Sequence, residues 1–336
     1  MSATQDVNIS RTARVHYVTG MTGKAESGIT DAPLLKGPFA LAVSDFDGVH
    51  AGHLALAQRG AELAEAADAR LVALLPWPSP AGADNTATSR LTTLDERIAR
   101  LRAWGLFADI IVTSAPAEPR NTMESLAALQ ALGDLRALIC EAEPIGVARA
   151  LLAPEAIARA KSAEVAAETF TFPALAGWVP QEASEPLGDW IAALVSDGRV
   201  AEATALLGYS YTVAGEVVGG DRRGRLLGFP TANLRPNPSK IIPANGVYAA
   251  LVSLPGEDEP THAAAVSVGV RPTFGEGNRR QIEAYLLDES LDLYGLWIAV
   301  QFVALLRPEL RFDSVEALIH QMDHDCEQTR RLLGVK

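Results

Sequence analysis

Three groups of residues in this chain have the types and spacing to do chemistry. The first is His50 and His53 in "DFDGVHAGH", with Gly52 between them and a run of helical spacing directly after. Two imidazoles at a helix start, beside the helix's free backbone amides, raise the question of work on a nucleotide. A cap and a packing residue would need the same two side chains. The second group is "VVGGDRRGRLLGFPTANL". Gly219 and Gly224 have the glycine spacing of a Walker loop. Arg225 and Leu226 then stand where Lys and Ser/Thr are required, and Gly228 and Pro230 forbid the helix that must follow. What remains is a glycine-rich, arginine-bearing turn, followed by Thr231 and Asn233 on one side of an extended backbone. A hydroxyl and an amide oxygen are hard neutral ligands suited to Mg²⁺; a Pro-Thr turn closed by an asparagine accounts for them equally well. The third is Glu283, a carboxylate inside the apolar run "QIEAYLLD", costly there unless it has a partner or a task. An ion pair at a rim is its alternative. His320 and His324, spaced i, i+4, fall on the solvent side of their helix with no third ligand in reach of the pattern, so packing geometry argues against a metal there.

The elements that must position these groups divide into two kinds. Phe39 to Val43, "RLVALLPW" and "ADIIVT" read as strands, separated by helices over roughly Leu54 to Ala69 and "TTLDERIARLRAWG". The second helix has Thr93 and Glu96 placed as a capping box and Gly105 as its stop. Strand and helix in alternation argue for a parallel sheet, with "PWPSPAGADNTATS" as a loop at a strand's carboxyl end, where such sheets bind ligands. From Asn121 to Leu207 the chain is alanine-rich and mostly helical in pattern. After Gly208, "YTVAGEVV", "GVYAALVSL", "AAAVSVGV", "QIEAYLLD" and "LWIAVQFVALL" read as short strands of a small barrel. "DSVEALIHQMDHDCEQTRRLL" closes the chain as a helix, with Asp313 as N-cap, Glu316 at the capping-box position and a stripe from Val315 through Leu318, Ile319, Met322, Cys326 and Thr329 to Leu333. These patterns give an N-terminal extension over 1–35, a first domain over 36–207 and a second over 208–336.

At 336 residues two domains is the natural expectation. A net charge of −12 without a basic cluster argues against nucleic acid or an anionic membrane as partner, since both demand concentrated positive charge. A polyanionic small ligand needs only a few placed donors. Cys140 and Cys326 form no metal or redox spacing. The first residues lack the layout of a signal peptide, and no apolar run approaches the roughly 20 residues needed to span a bilayer. A soluble, cytoplasmic protein is expected; a homo-oligomer is left open.

The blocks "GRLLGFPTANL", "PANGVYAALV", "VSVGVRPTFGEG", "QIEAYLLD" and "LYGLWIAVQFVALLRPELRF" with the closing helix, in that order, resemble the riboflavin kinase domain of the bacterial bifunctional flavokinase/FAD synthetase family over about Leu206 to Leu333. The resemblance implies a six-stranded barrel moving the γ-phosphoryl of ATP to the ribityl hydroxyl of riboflavin. By position, Thr231 and Asn233 would hold Mg²⁺ and the nucleotide phosphates, beside the turn of Gly219, Gly224, Arg225 and Gly228. Glu283 would be the catalytic base. "GVRPTFG" would be a loop over the ligands, with Arg271 either a phosphate or flavin contact or a surface arginine.

"DFDGVHAGH" resembles the His-x-Gly-His motif of the same family's adenylyltransferase domain, which joins AMP to FMN; His50, Gly52 and His53 match. The expected fold is therefore an α/β nucleotidyltransferase-like (Rossmann-like) parallel-sheet domain followed by a small β-barrel kinase domain with a C-terminal helix. Other family blocks are missing. Where the family has Gly-x-Asp-Phe-x-Phe-Gly this chain reads "CEAEPIG", and where it has Ser-Ser-Thr-x-x-Arg this chain places Leu187, Gly188, Asp189 and Ala192. The family's Gly-Asn before Phe-Asp-Gly is Ser44-Asp45, an extra carboxylate near a polyanion. The expectation is a riboflavin kinase with an impaired adenylyltransferase. Its rivals are a fully bifunctional enzyme, which would also take FMN as substrate, and a non-catalytic flavin or nucleotide binding module.

Overall fold

The computed structural model describes residues 13–18, 34–77, 90–114, 129–141, 165–171, 187–220, 224, 227–257, 259–270 and 280–335. The chain forms two compact units, Met1–Ala87 with Thr92–Pro186, and Thr88–Leu91 with Leu187–Lys336.

The first unit is a parallel sheet of six strands: β1 (Arg14–Val18), β2 (Phe39–Val43), β3 (Arg70–Trp77), β4 (Asp109–Ser114), β5 (Leu135–Glu141) and β6 (Ala166–Phe170), in the order β1-β4-β3-β2-β5-β6. β2 is buried at every residue and β5 at all but one, as strands covered on both faces must be. α1 (Ala51–Ala66) follows β2, and α2 (Leu94–Ala103) follows β3. α1 starts three residues before the apolar spacing suggested, because His50 caps it: its ring accepts a hydrogen bond from the His53 amide. α2 has the expected Thr93/Glu96 capping box, and Gly105 lies just beyond its end at φ 65°. The sheet order reverses between β2 and β5, which puts a crevice at their carboxyl ends.

The alanine-rich stretch was expected to be mostly helical, yet it supplies β5 and β6. Alanine fits helix and buried strand alike, and the deciding signal was the short apolar run "LRALIC", whose length suits a strand.

In the second unit α3 (Leu187–Ser196) and α4 (Val200–Leu207) precede a closed antiparallel barrel, and α4 ends at Gly208 in left-handed geometry. The barrel strands are β7 (Thr212–Val218), β8 (Ala232–Pro236), β9 (Gly246–Ser253), β10 (His262–Val270), β11 (Arg280–Leu286) and β12 (Trp297–Arg307), in the order β10-β11-β8-β7-β12-β9. Val213, Val217, Leu234, Ile282, Ala284, Val266, Val300 and Phe302 fill its interior. α5 (Val315–Leu333) packs on β9, β10 and β12. Its cap is Ser314, one residue after the expected Asp313, because the Ser314 hydroxyl takes the Ala317 amide. Cys326 and Thr329 of the expected stripe are buried, but Val315 is exposed.

Candidate active sites

In the barrel, the strand register decides which polar residues meet. Val218 pairs with Asn233, Asn233 with Glu283, and Glu283 with Ser267, so four adjacent strands contribute one row. Along β11 the buried residues are Ile282, Ala284 and Leu286, so Glu283 points away from the packed interior. That removes the cost its apolar neighbours suggested. Thr231, two residues before Asn233, lies at the same end, and its hydroxyl donates to Glu283 Oε2 at 3.3 Å. The structure thus brings Thr231, Asn233 and Glu283 together. Ser267 joins the same row and had no signal in sequence, since only the register reveals it.

Glycine keeps this corner open. A Cβ on Gly220 would lie 2.4 Å from Asn233 Nδ2, and one on Gly224 would lie 2.3 Å from the Phe229 carbonyl and 3.5 Å from Thr231 Oγ1. Gly219 meets no such neighbour, and Gly228 serves its turn at φ 88°. The donors are a hydroxyl, an amide oxygen and a nearby carboxylate. With a cradle that a side chain would fill, this set suits a hard cation carried in with phosphates. A cavity of about 440 Å³ adjoins, lined among others by Gly220, Thr231, Asn233, Glu289, Asp292 and Tyr294. Arg225 and Arg271 lie outside the described residues, as does most of the expected ligand loop after Trp77.

In the first unit, the turn from Ser44 to His50 carries the second site. Phe46 and Val49 have positive φ, 51° and 41°, and Gly48 has 78°. For Val49 this is strained backbone, which persists only where its surroundings over-determine it. They do. The Ser44 hydroxyl accepts the Phe46 amide at 2.9 Å, Asp45 Oδ1 accepts the Asp47 amide at 2.9 Å, and Thr92 Oγ1 accepts the Gly48 amide at 3.1 Å. His50 and His53 are buried, with rings stacked 3.7 Å apart. Burial first, and the neighbouring His53 second, hold the His50 pKa well below its usual value, so this imidazole is neutral at pH 7. Gly52 is buried in the first turn of α1.

The surroundings are acidic. Glu141 ends β5 and accepts from the Ser44 hydroxyl, and His53 Nε2 stands 3.5 Å from Glu141 Oε1. Asp45 has its pKa raised, chiefly by burial. The fully buried Arg97 donates to Asp47 Oδ1 at 2.6 Å, to Thr92 Oγ1 at 3.2 Å and to the Asp45 carbonyl. Its charge is thereby committed to Asp47. Sequence reading did not name Glu141 or Arg97 as site residues, although Glu141 falls within "CEAEPIG"; the parallel β2–β5 pairing and the hydrogen bonds of Arg97 bring them in.

Comparison with known proteins follows the same division. A family model described as riboflavin kinase matches residues 207–333, and one described as FAD synthetase matches residues 35–115. The bifunctional riboflavin kinase/FMN adenylyltransferase of Escherichia coli (strain K12) is 30% identical over 303 residues, 88% of this chain and 93% of that protein. This chain belongs to the bifunctional riboflavin kinase/FMN adenylyltransferase family. The Listeria monocytogenes member is 43% identical over 136 residues, a match spanning 40% of this chain and 42% of that relative. A crystal structure described as a macrolide-efflux protein from Streptococcus pneumoniae superposes with a TM-score of 0.76 over 94% of this chain and 98% of its own, at 23% identity, and shares the fold. The barrel is accordingly a riboflavin kinase domain, an ATP-dependent phosphotransferase with riboflavin as acceptor. No helix among the described residues is long and apolar enough to cross a membrane.

Proposed function

We propose that this chain forms FMN from riboflavin and ATP at the barrel row, with Glu283 as the base, and that its FMN adenylyltransferase site is impaired. The observation that carries the first part is the meeting of Thr231, Asn233 and Glu283 at one corner, across paired strands. Glu283 accepts the proton of the ribityl hydroxyl as that oxygen bonds to the γ-phosphorus of ATP, while the bond from that phosphorus to the β-phosphate oxygen breaks and ADP leaves. Thr231 and Asn233 hold Mg²⁺, which when bound offsets phosphate charge, and the bare backbone at Gly220 and Gly224 lets the phosphates come close. Arg225 and Arg271 remain candidate phosphate or flavin contacts. Phosphoryl transfer depends mainly on positioning and charge neutralisation, so this is a sufficient set.

The second part rests on charge. Where a polyanion must bind, the first unit offers a neutral His50, an Arg97 already paired, and the carboxylates of Asp45 and Glu141. The functional domains are assigned as 36–207 and 208–336; the family models match 35–115 of the first and 207–333 across the second, while Leu187–Leu207 belongs to the second compact unit. A reducing cytoplasm is the compartment this reading favours, since Cys140 and Cys326 are both unpaired and buried. The acidity of the chain argues against nucleic acid as partner. The test is product analysis: with riboflavin, ATP and Mg²⁺, FMN accumulates and FAD stays near background. FAD as the main product would make the chain fully bifunctional, and flavin binding without ATP consumption would make it a binding module.

A further inference from the structure

The carboxylates that spoil the first unit for a bare polyanion are arranged for something else. Asp45, His53 and Glu141 each offer one ligating atom, and the three atoms lie within 4.8 Å of one another. They come from three different elements: the turn after β2, the first turn of α1, and the last residue of β5. Each is fixed from behind. Val43 pairs with Cys140, so Ser44 and Glu141 leave adjacent strands side by side, and the Ser44 hydroxyl donates to Glu141 Oε1. Asp45 is held by the Asp47 amide at 2.9 Å. The His53 ring is clamped between the stacked ring of His50 and the Phe46 ring, 5.2 Å away, and is 2% exposed. The cluster sits in the crevice where the strand order reverses, the place open parallel sheets present to ligands.

We propose that Asp45, His53 and Glu141 bind a borderline divalent transition metal of the Zn²⁺ or Mn²⁺ kind. One imidazole and two carboxylates favour such an ion over Mg²⁺, which prefers oxygen ligands and retained water. Metal bonds of about 2.0–2.2 Å require donors roughly 3–3.5 Å apart, so the cluster needs only a small contraction on binding. Three protein donors leave a position open for an anionic oxygen. The ion's two positive charges offset the two negative carboxylates and turn a repulsive site into one that accepts an anion. This inference rests on the first unit alone and is independent of the kinase reading.

The experiment uses the full chain, stripped with a chelator and titrated with Co²⁺ and then Zn²⁺ without nucleotide. One equivalent of Co²⁺ should bind with a visible spectrum that Zn²⁺ abolishes. Asp45→Asn and Glu141→Gln should each weaken binding by at least about 10²-fold, with an unchanged far-UV circular dichroism spectrum and thermal transition of the first unit as the check that the variants fold, and FMN formation at the barrel retained. X-ray absorption on the Zn²⁺-loaded wild type should show one imidazole, oxygen ligands and no sulfur. Absence of binding, affinity unchanged in both variants, a sulfur ligand from Cys140, or two imidazoles as from His320 and His324 would each overturn the assignment. Loss of metal binding with FMN formation intact would leave the kinase reading standing, and the converse result would leave the metal site standing.

Discussion

Glu283 is the residue proposed as the base of the barrel reaction, and its environment makes that role testable. It is paired in register with Asn233 and takes a hydrogen bond from Thr231, so an isosteric amide preserves the geometry while removing the base. Glu283→Gln is expected to lower kcat by at least about 10²-fold while riboflavin still binds, read by steady-state kinetics beside flavin fluorescence titration. Unchanged turnover would reject the assignment. Thr231→Ala should raise the Mg²⁺ concentration needed for half-maximal rate. Gly220→Ala tests the cradle from behind: the added methyl would fall 2.4 Å from Asn233 Nδ2, so the amide must move. A displacement near 1 Å should cost up to about 10²-fold in kcat/KM with little change in melting temperature.

At the scale of elements, two charged clusters tie the barrel to its flanking turns and its helix. His262, at the start of β10, meets Glu289 through Nδ1 at 2.8 Å and Glu257 through Nε2 at 2.9 Å. Burial pulls its pKa down, but the hydrogen bonds and charges of Glu257 and Glu289 more than offset this and leave it raised. A raised folded-state pKa gives stability that is complete below the unfolded value of about 6.5 and lost as pH climbs through the folded value. The barrel's melting temperature should therefore fall as pH rises above about 6.5, and His262→Gln should flatten that descent. Arg307 and Asp325 form the other cluster, at 2.8 Å with Gln321 assisting, between β12 and α5. Asp325→Ala leaves a mostly buried guanidinium without its partner and should cost about 3 kcal/mol in chemical denaturation.

These elements also show what could be read beforehand. β2, β3 and the α2 capping box follow from short-range pattern, because a buried parallel strand is one apolar run and a capping box is three residues wide. Thr231 and Asn233 announce themselves by type and spacing. Asp45 was visible as a misplaced charge, but its partner Glu141 was not, since the two meet only when β5 inserts beside β2. The same holds for Ser267, which is set opposite Glu283 by a strand pairing that no local window contains.

On the scale of the whole molecule, the proposed impairment of the first unit sets an expected gap between the two activities. A charged hydrogen bond is worth about 1.5–3 kcal/mol, so two or three absent phosphate contacts remove roughly 3–9 kcal/mol. At about 1.4 kcal/mol per decade this is a rate deficit of about 10² to 10⁶. Incubation with FMN, ATP and Mg²⁺ should accordingly yield FAD and pyrophosphate slower than FMN formation by at least about 10²-fold, and brisk release of pyrophosphate would refute this.

The closed barrel has one more consequence. All six of its strands are paired on both sides, so within its own unit it has no unsatisfied backbone edge to offer. Among the described residues the open sheet ends in β1 and β6, each paired on one side only. Arg14 and the Arg59–Glu168 pair put charge at those two margins, a modest guard against another copy adding a strand. Clouding of a warmed or concentrated solution should thus start from the first unit, and charge-removing substitutions there, such as Glu168→Val, should hasten it while equivalent changes on the barrel do not.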